Sequence, residues 1–60
     1  MKVRELLKGL QSRTEIHITD PYTGDEFISE NPEQAIINYG YEPVKNWFVM
    51  NNTIYINLEE

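Results

Sequence analysis

The chain has 60 residues, with ten acids against five bases for a formal net charge of −5, one histidine and no cysteine. That length makes one domain, the missing cysteines exclude disulfide staples, and a single histidine without thiols excludes a His/Cys zinc site. A domain this small buries only about 60% of its unfolded surface, which leaves self-association as the remaining stabilising device.

The charge is unevenly distributed. Lys2, Arg4, Lys8 and Arg13 are opposed only by Glu5 in the first 13 residues, so four minus one gives +3; residues 14–60 hold nine acids and Lys45, which gives −8. An acidic body repels phosphate backbones and argues against nucleic acid as a partner. It suits either plain solubility or a partner with a basic surface. The opening Met1-Lys2-Val3-Arg4-Glu5 leads into no apolar secretory core, and no apolar run approaches the roughly 20 residues of a membrane span. The expectation is a cytoplasmic protein without a membrane partner.

Val3, Leu6, Leu7 and Leu10 recur at helical spacing and predict a first helix of about three turns. Arg4, Lys8 and Gln11 share its polar flank. It has no N-cap residue of the usual types, and Gly9 weakens it, so packing must hold it in place. Thr14 to Thr19 alternates, with Ile16 and Ile18 on one side and Glu15, His17 and Thr19 on the other, which predicts a half-buried strand. Pro21-Tyr22-Thr23-Gly24 reads as a hairpin loop, with Asp20 bonding the turn backbone, and Asp25 to Ser29 returns as a second strand.

Asn31-Pro32-Glu33-Gln34 carries the start of a second helix: Asn31 as N-cap, Pro32 at the first helical position and Glu33 at the positive dipole end. Gly40 and Pro43 stop it after about two turns, with Ala35, Ile36 and Tyr39 as its buried side. Val44 to Met50 and Thr53 to Glu59 form the last two strands around an Asn51-Asn52 turn. The order α-β-β-α-β-β predicts an α+β fold, with the N-terminal helix packed on a four-stranded antiparallel sheet.

The turn lengths fix the registers. A two-residue loop pairs Met50 with Thr53, Val49 with Ile54, Phe48 with Tyr55 and Trp47 with Ile56, and opposed residues share a face. Trp47 and Val49 then join Ile54, Ile56 and Leu58 in the core, while Phe48 and Tyr55 face outward beside Asn46 and Asn57. A Pro21–Gly24 loop pairs Ile18 with Phe27 and His17 with Ile28, which sends Ile16, Ile18 and Phe27 inward. If both outward sets share one sheet face, His17, Ile28, Phe48 and Tyr55 form a partner-binding patch suited to a homodimer or another protein, unless the second helix folds over it.

No pattern of catalytic, cofactor-binding or metal-ligating residues emerges. The glycines at 9, 24 and 40 make no phosphate loop, and Asp20, Asp25 and Glu26 lack the spacing of a calcium loop. His17 has no aligned nucleophile, so the chain is read as a non-enzyme without cofactor. Asn51-Asn52-Thr53 matches a glycosylation pattern but reads as a turn. The bases cluster on the first helix and the aromatics on the strands, so they are not interleaved as in single-strand binders.

The helix Val3-Arg4-Glu5-Leu6-Leu7-Lys8-Gly9-Leu10, the strand Glu15-Ile16-His17-Ile18 and the turn Thr23-Gly24-Asp25 together resemble small phage- and prophage-type proteins of Gram-positive bacteria. The resemblance covers the N-terminal half best and implies a cytoplasmic accessory protein that binds and inhibits a host enzyme. An acidic DNA mimic is the sharpest form of that alternative, and it requires Glu15, Asp20, Asp25, Glu26, Glu30 and Glu33 to line up in one row.

Overall fold

The structure, a computed structural model, describes residues 1–9 and 14–59. Its elements run α1 Val3–Leu7, β1 Glu15–Thr19, β2 Glu26–Ser29, α2 Pro32–Tyr39, β3 Val44–Met50 and β4 Thr53–Leu58.

Helix α2 begins and ends where its sequence directs. The Asn31 side chain accepts a hydrogen bond from the Gln34 amide at 3.0 Å, and Pro32 follows at the start. Gly40 closes it, donating its amide to the Ile36 carbonyl at 2.8 Å. Its φ of −54° is ordinary right-handed backbone, so glycine is not needed there for a left-handed cap. It is needed for space, because a Cβ at position 40 would run into the Ile36 carbonyl.

Helix α1 is shorter than the apolar stripe predicts. It spans five residues, with Lys8 already extended at ψ 126° and Gly9 at φ +88°. A glycine in left-handed backbone ends the helix directly after Leu7. Leu10, the last member of the predicted stripe, lies with Gln11 and Arg13 outside the described residues. So short a helix cannot stand alone, and the rest of the fold satisfies its free amides. Val3 N–H donates to the Glu42 carbonyl and Arg4 N–H to the Gly40 carbonyl, both at 3.0 Å. The Glu5 carboxylate accepts from the Lys2 amide at 3.1 Å, half of a capping box built without a Ser or Thr.

Both hairpins keep their predicted registers. In the first, Asp20 and Asp25 close the loop, Tyr22 N–H bonds the Asp20 carboxylate at 2.9 Å, and Gly24 takes φ +75°. His17 lies opposite Ile28 and Ile18 opposite Phe27. In the second, Asn51 and Asn52 adopt φ of 52° and 61°, the two left-handed residues of a type I′ turn. Trp47 then meets Ile56, Phe48 meets Tyr55 and Val49 meets Ile54.

The sheet is mixed, where a purely antiparallel one is predicted. Its strand order is β2-β1-β4-β3, and the central pair β1–β4 is parallel. Turn signals fix each hairpin but not how the two hairpins join. Helix α2 carries the chain across the sheet, so that β3 runs in the same direction as β2 at the opposite edge. The inner strands β1 and β4 are thereby brought side by side and parallel.

Both helices cover one face. Val3 and Leu7 of α1, Ala35 of α2, Ile16 and Ile18 of β1, and Ile54, Ile56 and Leu58 of β4 form the core, with Phe27, Ile36, Tyr39 and Val44 half-buried around it. The Phe27 and Tyr39 rings meet at 5.1 Å, which ties α2 to the β2 end of this face. The core stops short of β3. Trp47 and Val49 share the face of Ile56 and Ile54 as predicted, yet remain 45% and 58% exposed. Two short helices packed on each other over β2, β1 and β4 do not reach Trp47 and Val49 of the fourth strand.

Candidate interaction surface

The face opposite the helices carries one residue from each strand in a single row. His17 is the cross-strand neighbour of both Ile28 and Tyr55, and Tyr55 is the neighbour of Phe48. The row therefore reads Ile28, His17, Tyr55, Phe48 from β2 to β3. The four residues picked out by hairpin registers are brought together, and the parallel β1–β4 pair is what aligns them. The His17 and Tyr55 rings lie 4.9 Å apart, and the Phe48 and Tyr55 rings stack at 4.9 Å with 11° between their planes. Ile28 and Phe48, at the two ends, are half exposed. Helix α2 does not fold over this row, because it packs on the other side of the sheet.

The two halves of the face differ in charge. At the β1–β2 end, the His17 imidazole sits between two carboxylates, with Nε2 3.2 Å from Glu15 and Nδ1 4.0 Å from Glu26. At the β3–β4 end the flanking groups are Met50, Thr53 and an amide pair, with Asn57 donating to Asn46 at 2.6 Å. The aromatic half is therefore uncharged and the histidine half acidic.

The other acids do not join that flank. Asp20 and Asp25 lie at the closed end of the first hairpin, Glu30 follows its open end, and Glu33 belongs to α2 on the core side. Among the described residues, no group of three His, Asp or Glu side chains is placed to hold a metal.

Sequence patterns missed two features. The first is β3 itself: Trp47, Phe48, Val49 and Met50 are all between 45% and 58% exposed, on both sides of the strand. The absence of alternation in Val44–Met50 was the available signal, since a strand with one buried face should alternate. The second is Tyr41, in the loop after α2, whose ring lies 5.6 Å from Lys2 Nζ and 5.2 Å from Arg4 Cζ. One aromatic thus does lie among the bases, contrary to the sequence expectation. These pairs are cation–π contacts on an exposed ring, worth about 0.5–1 kcal/mol. They tie α1 to the same loop that holds its amides.

Among the described residues, no helix is long and apolar enough to cross a membrane. No known protein family, no curated protein and no solved structure matches this chain.

Proposed function

We propose that this protein is a small acidic interaction module that self-associates through the outer sheet face around Phe48 and Tyr55, with His17 and Ile28 extending the contact. The observation carrying this reading is the aromatic row, which runs the full width of a sheet face that neither helix covers. Apolar area left open on so small a domain is the usual mark of a protein contact. Burying it in a second copy supplies the stabilisation that a core of so few side chains lacks.

Phe48→Asp tests the proposal. Phe48 is half exposed, so the variant should keep the circular dichroism spectrum of the parent while its sedimentation shows a monomer. Association unchanged in that variant removes Phe48 from the contact.

The alternative, a phage-type acidic inhibitor that imitates DNA, has less support. Its carboxylates are strung along both ends of the first hairpin and onto α2, and only Glu15 and Glu26 share the outer face. Competition of this protein with duplex DNA for a nucleic-acid enzyme would favour the alternative over the module.

A further inference from the structure

The outer-face reading leaves open how two copies meet, and β3 supplies a more specific answer. It is an edge strand, bonded to β4 on one side only. Its outer edge is taken at the start, where Lys2 bridges Pro43 and Val44 N–H donates to the Met1 carbonyl at 2.8 Å. Beyond Val44, no described residue pairs with that edge. Among the described residues, the open stretch therefore runs from Lys45 to Met50 and is bounded by the Met1–Val3 segment at one end and the Asn51-Asn52 turn at the other.

Along an antiparallel ladder, backbone groups point alternately toward and away from the neighbouring strand. The two-residue turn makes Met50–Thr53 a hydrogen-bonded pair, and so Phe48–Tyr55 is another. Trp47 and Val49 consequently direct their N–H and C=O groups away from β4, toward the open edge. Natural edges are blunted by charge, proline, bulges or short length. The opposite edge, β2, obeys this: it is four residues long, starts with Glu26 and is followed by Glu30. In β3 the bulge and Lys45 occur only at the start, and Asn46 to Asn52 carries no charge.

We infer that β3 pairs antiparallel with β3 of a second copy about a two-fold axis at Phe48, joining the two sheets into one. This rests on the self-association reading but moves the contact from the outer face to the edge of β3, with Phe48 common to both and His17 and Ile28 outside it. The register follows from the two residues whose backbone groups face the open edge, Trp47 and Val49, whose middle is Phe48. It sets Phe48 opposite Phe48 of the second copy, Trp47 opposite Val49 and Asn46 opposite Met50, while Lys45 meets the uncharged Asn51. Trp47 and Val49 of each copy exchange the N–H···O bonds that their edge lacks. The two aromatic rows become continuous through stacked Phe48 side chains, and the exposed Trp47 and Val49 cover one another on the helix side. No like charges meet, and the acidic halves of the two outer faces lie at the far ends of the joined sheet. A second copy is favoured over an unrelated strand because the same short sequence satisfies both sides of the pairing.

Phe48→Asp would dissociate either a face-to-face or an edge-to-edge dimer, so other readouts must separate them. Amide hydrogen exchange of the unaltered protein, followed by NMR at high and low concentration, reads the edge directly. Edge pairing slows the Trp47 and Val49 amides at high concentration and releases them on dilution. Val49→Lys, on the helix side, should raise the dissociation constant about tenfold or more, and Ile28→Asp, at the distant edge of the outer face, should change it less than about twofold. Trp47 and Val49 amides that exchange rapidly at every concentration, with Ile28→Asp dissociating the protein, would overturn the edge pairing and leave the outer-face contact standing. A chain that stays monomeric would overturn both.

Discussion

At the residue scale, the fold depends on a few side chains with no spare contacts around them. Ile16, Ile18 and Ile56 are almost fully buried on the two central strands. Ile16→Ala should cost about 2–4 kcal/mol, read as a lowered denaturant midpoint, because a domain of this size cannot collapse far around a cavity. Total stability of about 3–9 kcal/mol would be expected for this length, so that one change consumes much of it. Gly40 is equally exacting for a different reason. Its role looks like helix stopping from sequence, yet the structure makes it a matter of space beside Ile36 and a backbone partner for Arg4. Gly40→Ala should therefore destabilise by about 1–3 kcal/mol, although alanine is the better helix former; a stabilised variant would show that the Ile36 carbonyl yields easily.

At the element scale, local chemistry was legible and the joining of elements was not. Asn31, Pro32 and Gln34 announced α2, Pro21 to Gly24 announced the first turn, and Asn51-Asn52 announced the second, each because a backbone requirement selects a particular side chain. Those turns fixed both registers and so placed His17, Ile28, Phe48 and Tyr55 on the outward side. The parallel β1–β4 pairing that aligns them depends on the path of α2, which leaves no signature in strand residues. The leucine spacing predicts a longer α1 because it continues past Gly9, whose φ of +88° ends the helix. Register places Trp47 and Val49 on the core face, but it carries no information on whether a helix reaches them, and they stay exposed. The turn assignments can be checked energetically. Asn51→Ala should cost about 1 kcal/mol by forcing a Cβ-bearing residue without a polar tip into left-handed backbone, and Asn52→Gly should gain a few tenths, both read from thermal midpoints. Asn31→Ala should cost about 1 kcal/mol through the lost cap on the Gln34 amide.

At the scale of the whole molecule, one side of the sheet is built and the other is left open. The helices enclose β2, β1 and β4 from one side, and the outer row together with Trp47 to Met50 forms a continuous apolar band ending at an edge that, beyond Val44, no described residue pairs with. Charge is arranged around that band rather than in it: carboxylates beside His17, bases on α1 near Tyr41, and none from Asn46 to Asn52. Such a surface is consistent with a chain whose folded state is completed by association, and stability should then rise with protein concentration. Sedimentation equilibrium of the unaltered protein over a wide concentration series reads this most directly. Self-association predicts a mass that climbs from 7.1 kDa toward twice that value as concentration rises. A mass fixed at 7.1 kDa throughout, from a fully folded chain, would contradict it.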